Sequence, residues 1–168
     1  MSVRITLADL RSEAVIRLIA DHMRLMNELS PPGSNHGFDL QALKADDVSV
    51  WAAHIGTELV GCVAIKQIDQ RHGEIKWMHT RRGYRNRGIA RQILQYTIHI
   101  AEDRGYSRLS IETGSQPGFK PAWRVYERHG FSYCGPFADY EDNPASVFMT
   151  MEISPPSPAP PKQAKADI

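Results

Sequence analysis

Cysteine, long apolar runs and net charge are all scarce in this sequence. The two cysteines, Cys62 and Cys134, each lie in an apolar run, so neither a disulfide framework nor a zinc site is expected. No apolar run approaches the roughly 18 residues that a membrane-spanning helix needs. The opening MSVRITLADL lacks the long apolar stretch of a signal peptide. These absences predict a protein of the reducing cytoplasm with no membrane partner.

Charge is nearly balanced, with 20 Lys and Arg against 19 Asp and Glu. A duplex-binding domain usually carries a large basic excess, so no nucleic-acid partner is predicted. The length of 168 residues and the 42% of hydrophobic residues suit one domain with a proper core. The last 15 residues, SPPSPAPPKQAKADI, hold five of the 11 prolines and lack large core-forming side chains. We therefore expect a single domain over residues 1–153 and a disordered, proline-rich tail over residues 154–168.

The spacing of apolar residues predicts an alternation of strands and helices. Strands are expected over residues 3–6, 49–55, 59–68, 73–80, 107–113, 131–135 and 146–153. Helices are expected over residues 12–29, 39–45, 88–104 and 120–129. Strands that alternate with helices in this order predict a mixed α/β domain on one central sheet.

The stretch RRGYRNRGIARQIL, residues 81–94, places four arginines and two glycines before the longest helical pattern. The first N–H groups of a helix lack intrahelical partners, and the helix dipole adds partial positive charge there. Glycine lets the backbone approach a ligand closely, so this junction suits a pyrophosphate. On this argument alone, a solvated basic loop stays open as the alternative.

The same stretch resembles a known family. RNRGIA, residues 85–90, fits the Arg/Gln-x-x-Gly-x-Gly/Ala signature of the GCN5-related N-acetyltransferases (GNAT). AWRVYERHGFSYCG resembles the family's Ala-x-x-x-Tyr-x-x-x-Gly-Phe segment, which forms the second coenzyme-contacting helix and the strand after it. HGEIK, ETGS, PFADY and SVFM resemble the small bacterial YsnE-like subgroup. The two separated motifs occur in the order typical of the family, and the resemblance extends over nearly all of residues 3–153.

The resemblance implies the GNAT fold, an α/β (α+β) domain with a mixed, mostly antiparallel sheet. Six to seven strands and about four helices are expected, with two strands splayed to admit acetyl-CoA. Residues 73–80 and 107–113 would be the splayed strands, and the pantetheine arm would enter their wedge. The implied cofactor-binding residues are Met78, His79, Thr80, Arg85, Asn86, Arg87, Gly88, Ile89, Ala90, Arg91, Thr113 and Tyr126. The backbone N–H of Met78 would meet the acetyl carbonyl.

Glu74 is the candidate base for deprotonating the amine that accepts the acetyl group. An alkyl ammonium with a pKa near 10 is a poor nucleophile, so a proton must leave before attack. Glu74 lies 14 residues before Gly88, which matches the catalytic glutamate of the histone-modifying members. Other branches use water chains instead. A solvated strand glutamate paired with Lys66 or Lys76 stays open as the alternative.

Tyr126 is the candidate acid that assists the departing CoA thiolate, because it matches the tyrosine that approaches the CoA sulfur in many members. An aromatic residue packed between helix and sheet is the alternative. His79 could face the acceptor cleft, although a lone histidine is more often structural. No histidine spacing indicates a metal site, and no motif indicates an acyl-enzyme, so direct transfer in a ternary complex is favoured.

The acceptor site is expected between MNELSPPGSNHGF and GPFADYEDNPAS. Asp139, Glu141 and Asp142 could attract a cationic amine or simply serve as turn residues. Phe38 and Tyr140 could line a small pocket. The main interpretation is an acetyl-CoA-dependent N-acetyltransferase for a small-molecule or peptide amine. A CoA-binding regulatory module without transfer activity is the alternative, and a homodimer is left open.

Overall fold

A computed structural model describes residues 2–32 and 40–154 of the chain. The strands are β1 (Arg4–Leu7), β2 (Val48–Ile55), β3 (Glu58–Asp69), β4 (His72–Thr80), β5 (Arg108–Gly114), β6 (Ser132–Cys134) and β7 (Ser146–Glu152). The helices are α1 (Glu13–Leu29), α2 (Leu40–Leu43), α3 (Ile89–Asp103) and α4 (Lys120–Arg128), and a 3-10 turn over Pro117–Phe119 precedes α4. The predicted tail and Phe38 lie outside the described residues.

The seven strands form one sheet in the order β1-β2-β3-β4-β5-β7-β6. All neighbouring pairs are antiparallel except β4 and β5, which run parallel. This confirms the mixed, mostly antiparallel sheet and the four flanking helices. The order also shows that β7 lies between β5 and β6, so the loop from β6 to β7 passes beside the end of β5.

The predicted helices form with small differences in length. Ser12 caps the N-terminus of α1 by accepting a hydrogen bond from the Val15 N–H at 3.5 Å. The helix predicted over residues 39–45 is present only as the single turn Leu40–Leu43. Gly88 is the N-cap of α3 and lies outside the helix, with φ of 77°.

The parallel pairing of β4 with β5 is short. Its register runs from His72 opposite Arg108 to Ile75 opposite Ile111 and goes no further. Both strands continue beyond that point, β4 to Thr80 and β5 to Gly114. The strands therefore separate at the position where the wedge was predicted.

A bulge in β4 lies at the mouth of this wedge. In the register with β3, Ala64 faces Lys76 and Cys62 faces His79, so one residue of β3 opposes two of β4. Trp77, one of those two, has φ of 49°, in the left-handed region. The Cys62 thiol donates a hydrogen bond to the Trp77 carbonyl at 3.3 Å and so supports the bulge.

Two apolar clusters hold the two faces of the sheet. The larger lies under α3 and α4 and is centred on residues such as Ile65, Ile75, Ile93 and Met149. The smaller lies under α1 and α2 and includes Ile19. Strands β4 and β5 both contribute to the larger cluster, through Ile75, Leu109 and Ile111, while their C-terminal ends stay apart.

Candidate active site

The junction between β4 and α3 has the geometry of an anion site. Gly88 provides no side-chain cap, and the first intrahelical bond runs from the Gln92 N–H to the Gly88 carbonyl at 3.2 Å. The N–H groups of Ile89, Ala90 and Arg91 therefore lack intrahelical partners at the positive end of a 15-residue helix. Asn86 also has positive φ, of 62°, which turns the loop sharply before the helix.

Several arginines of the loop are held in place by protein groups. The Arg85 Nε donates to the Thr80 carbonyl at 3.3 Å, and Arg81 pairs with Glu58 at 3.2 Å. The Arg87 guanidinium lies over the Tyr84 ring, 5.3 Å from its centroid. These contacts orient the arginine side chains near the start of α3, although the side chains stay exposed.

A cleft of about 740 Å³ opens between the splayed strands and the loop from β6 to β7. Four predicted site residues line it: Glu74, Met78, Thr113 and Tyr126. The predicted acceptor residues Asp139, Tyr140, Glu141 and Asp142 line it as well. The other predicted cofactor residues, His79, Thr80, Arg85, Asn86, Arg87, Gly88, Ile89, Ala90 and Arg91, do not line it. They lie at the end of β4 and the start of α3.

Glu74 is a buried carboxylate in this cleft, only 4% exposed. The Tyr140 hydroxyl donates to its Oε2 at 2.6 Å, and the Lys76 Nζ lies 3.7 Å from the same oxygen. Lys66 is its register partner on β3, but the ion pair is made with Lys76. The interpretation of Glu74 as a solvated strand residue is therefore wrong, whereas its pairing with Lys76 is present.

A second carboxylate, Glu112, lies on β5 across the wedge and also lines the cleft. Burial raises its pKa, while the Ser146 hydroxyl donates to its Oε1 at 2.9 Å and opposes that shift. The charge of Glu74 raises its pKa further. Neither Glu112 nor Ser146 is among the site residues predicted from the sequence. Glu112 could have been predicted, because it directly precedes Thr113 on the strand that was expected to separate from β4.

Tyr126 lies on α4 with its ring 5.7 Å from the Phe131 ring, and its side chain is 3% exposed. Among the described residues, its hydroxyl has no hydrogen-bond partner. Burial raises the pKa of Tyr126 above its ordinary value. Tyr126 therefore packs between helix and sheet, as the alternative interpretation has it, and it also lines the cleft, while its role as an acid stays a prediction.

Thr113 connects the open strand to α4. The Trp123 indole Nε1 donates to the Thr113 Oγ1 at 2.9 Å and to the Gly114 carbonyl at 3.2 Å. These bonds fix α4, and with it Tyr126, against the end of β5. Met78, on the opposite strand, belongs to the β4 bulge and has no register partner on β3.

The expectation that His79 could face the acceptor cleft is wrong. His79 is 8% exposed, and its Nδ1 lies 3.1 Å from the Nδ1 of His22 on α1. Burial lowers the pKa of His79 to about 4 and that of His22 to about 3, and the nearby Arg85 charge adds to both shifts. The pair is therefore neutral near pH 7, with one ring donating to the other, and His22 is the member that lines the cleft.

Other chemistries have little support in the described residues. Over residues 2–32 and 40–154, no group of three or more His, Cys, Asp or Glu side chains is arranged to hold a metal ion. Burial raises the pKa of the Cys62 thiol to about 12, so it stays protonated and is a poor nucleophile. In the same part of the chain, no helix is both long enough and apolar enough to cross a membrane.

The chain is similar in sequence, over most of its length, to three known proteins. The chain is 46% identical over 151 residues to the uncharacterized N-acetyltransferase YsnE of Bacillus subtilis, covering 90% of this chain and all of the relative. It is 42% identical over 145 residues to the uncharacterized N-acetyltransferase YedL of Escherichia coli, covering 86% and 91%. It is 35% identical over 138 residues to the IAA acetyltransferase of Azospirillum brasilense, covering 82% and 89%.

Solved structures share the fold. A putative acyl-CoA N-acyltransferase from Klebsiella pneumoniae superposes with a TM-score of 0.73 at 25% identity, covering 90% of this chain and 98% of that one. A GNAT family acetyltransferase from Elizabethkingia anophelis, solved with acetyl-CoA bound, has a TM-score of 0.66 at 21% identity, covering 89% and 97%. The Acetyltransferase (GNAT) family matches residues 15–131. With that match, the splayed sheet and the relatives above, the chain belongs to the GNAT family of N-acetyltransferases.

Proposed function

We propose that this N-acetyltransferase moves the acetyl group of acetyl-CoA to a primary amine by direct attack in a ternary complex. The amine belongs to a small molecule or to an exposed peptide, and it enters the cleft beside Glu74. The main support is that a single cleft contains the wedge between β4 and β5, the buried carboxylate of Glu74 and the buried ring of Tyr126.

The acetyl-CoA site extends from the arginine loop into the wedge. The unpaired N–H groups at the start of α3 suit the pyrophosphate, as does the charge of Arg85 and Arg87. The pantetheine arm then passes between β4 and β5 beyond Ile75 and Ile111, where the strands no longer pair with each other. This path would bring the thioester to the bulge in β4 and to Tyr126.

The chemistry assigns a separate task to each group in the cleft. Glu74 takes a proton from the ammonium, and the free amine then attacks the thioester carbonyl. The backbone N–H of Met78, in the bulge, donates to the oxyanion that forms. When the tetrahedral intermediate collapses, the C–S bond breaks, the attacking nitrogen releases its second proton, and Tyr126 donates a hydrogen bond or its proton to the CoA thiolate. Where Tyr126 gives its proton, the proton released by the nitrogen restores its hydroxyl. The amide product keeps the acetyl group, and CoA leaves.

The charge of the cleft favours a cationic acceptor. The cleft is lined by the buried carboxylate of Glu74 and the half-buried carboxylate of Glu112, together with the ammonium of Lys76, which lies 3.7 Å from Glu74. Asp139, Glu141 and Asp142 on the loop from β6 to β7 add exposed negative charge at the entrance. An ammonium would be attracted to this surface, and a carboxylate would be repelled.

Two measurements test the function. Thermal unfolding is followed with acetyl-CoA, CoA, desulfo-CoA and an oligonucleotide. Release of the CoA thiol is then assayed with a panel of aliphatic diamines, amino acids, amino sugars and peptide N-termini. We expect acetyl-CoA to raise the melting temperature and at least one amine to release CoA. Binding without transfer to any amine would support a regulatory CoA-binding module instead, and no thermal shift at millimolar acetyl-CoA would refute the proposed site.

The setting of the enzyme is also a proposal. We propose that it works in the cytoplasm, where thiols stay reduced, because Cys62 and Cys134 are both free cysteines. Gel filtration with light scattering would determine whether it is a homodimer.

A further inference from the structure

We propose that Tyr140 is a positioning residue for the transfer reaction: its hydroxyl holds the Glu74 carboxylate in one orientation, with its other oxygen turned toward the amine. This inference rests on the proposed function, in which Glu74 removes the proton. It adds a residue that lies 66 positions away along the chain and on a different element.

The two oxygens of the Glu74 carboxylate have different surroundings. The Tyr140 hydroxyl and the Lys76 ammonium both approach Oε2, at 2.6 Å and 3.7 Å. No donor among the described residues is bonded to Oε1. Because Glu74 lines the cleft, the oxygen without a protein donor is the one available to an incoming ammonium. The hydrogen bond thus fixes which oxygen acts as the base.

Aromatic packing fixes the Tyr140 ring in turn. The ring lies 5.2 Å from Phe137 and 5.5 Å from Phe148 on β7, and these two rings lie 5.8 Å apart. The Tyr140 N–H also donates to the Phe137 carbonyl at 3.1 Å, which closes the turn. Phe137 contacts the His72 ring on β4 at 5.8 Å, so the cluster is anchored on the strand that carries Glu74.

The direction of the hydrogen bond is fixed by charge. Burial raises the pKa of Tyr140, and the Glu74 carboxylate raises it further by its charge and as the hydrogen-bond acceptor. The phenol therefore remains protonated and acts as the donor. The other charged groups near Glu74 are Lys76 on the same strand and Glu112 on β5. His72, two residues away on β4, has its pKa lowered by burial, so it adds little positive charge at neutral pH.

The test is Tyr140→Phe, which keeps the ring and removes the donor. We expect kcat for acetyl transfer to fall about tenfold relative to wild type, while KM for the amine changes little. The reason is that the carboxylate without its donor no longer keeps one oxygen directed at the amine. The affinity for acetyl-CoA should stay within about twofold, because no atom of the cofactor site changes.

Tyr133→Phe is the matched control. Its hydroxyl also donates to a carboxylate, that of Glu127, but on the exposed surface of β6. It should change neither kcat nor the acetyl-CoA affinity. A Tyr140→Phe variant with the kcat of wild type would overturn the proposal. A fall in kcat with an equal fall in acetyl-CoA affinity would overturn it as well, because that pattern indicates a packing defect.

A second readout needs no acceptor. In protein labelled with 13C at the glutamate δ-carbon, the Glu74 resonance is assigned by its loss in Glu74→Gln and compared between variants at one pH. We expect its chemical shift to change in Tyr140→Phe and not in Tyr133→Phe, because only the first variant loses the hydrogen bond to Glu74. An unchanged shift refutes the positioning role even where transfer is found. A changed shift without transfer to any amine supports the positioning role and refutes the proposed function instead.

Discussion

His22 and His79 meet across the interface of α1 and β4, with their Nδ1 atoms 3.1 Å apart and their ring planes at 73°. Burial lowers the pKa of both rings, to about 3 and about 4. Both are neutral in the folded protein at pH 5, whereas in the unfolded chain their ordinary pKa of about 6.5 makes them mostly protonated. The unfolded state therefore binds more protons, and stability falls as the pH drops from about 6.5 toward 4.

His22→Asn should reduce this sensitivity to acid, because the amide can still donate to the Nδ1 of His79 but does not titrate. One histidine contributes about 2 kcal/mol to the loss of stability between pH 7 and pH 5. Urea unfolding at the two pH values measures it, and the difference should be smaller in the variant by about that amount. His99→Asn is the control, since His99 lies exposed on α3. Equal losses in His22→Asn and wild type would contradict the neutral pair.

Gly88→Ala should weaken acetyl-CoA binding by tenfold or more, since the pyrophosphate needs close approach of this backbone. The φ of 77° also makes any side chain costly there, by about 1 kcal/mol of folding stability. Gly56→Ala in the turn between β2 and β3 is the matched control, because it has φ of 57° and equally open surroundings. Both variants should lose similar stability, and calorimetric titration should show an affinity loss for Gly88→Ala alone.

Glu74→Gln should lower kcat by about a hundredfold or more at neutral pH, the range expected when a general base is removed. The residual rate should rise with pH as solvent deprotonates the amine, and acetyl-CoA affinity should change little. Glu112→Gln provides the comparison within the same cleft. It should raise KM for a cationic amine more than it lowers kcat, because its proposed task is attraction and not proton transfer. Identical pH–rate profiles of Glu74→Gln and wild type would remove Glu74 from the mechanism.

Tyr126→Phe should lower the single-turnover rate of acetyl transfer by about tenfold to a hundredfold, at or below the lower limit of the roughly 10²- to 10⁴-fold range for a proton-transfer group. The loss stays small because burial raises the pKa of Tyr126, which makes full proton transfer to a thiolate of pKa near 8.5 unfavourable. Stability should not fall, since the buried hydroxyl has no partner among the described residues to lose. An unchanged single-turnover rate would leave Tyr126 as a packing residue.

Local patterns in the sequence were sufficient to predict the strands, the helices and the position of the glycine loop before α3. Apolar periodicity and the glycine at residue 88 are properties of short segments, so they are visible without a structure. Contacts between distant segments were not visible. Nothing near Tyr140 in the sequence indicates that its hydroxyl reaches Glu74, because β7 first has to insert between β5 and β6.

His79 illustrates a second limit. Strict alternation along β4 would place Glu74, Lys76 and Met78 on one face of the sheet. The bulge at Trp77 shifts this alternation by one residue, so Met78 packs with the cluster under α3 and His79 turns toward α1. A bulge adds one residue to a strand without a clear signal in composition, and every side chain beyond it then changes face.

The short ladder between β4 and β5 has a mechanical consequence. Four register pairs join these strands, whereas seven join β3 to β4 and seven join β5 to β7. The sheet thus consists of two extensively paired groups of strands, β1-β2-β3-β4 and β5-β7-β6, which are joined by only these four pairs. A pantetheine arm that formed hydrogen bonds to both β4 and β5 would link the two groups where the strands do not pair. Amide hydrogen exchange beyond Ile75 and Ile111 should then slow on both sides together when acetyl-CoA binds.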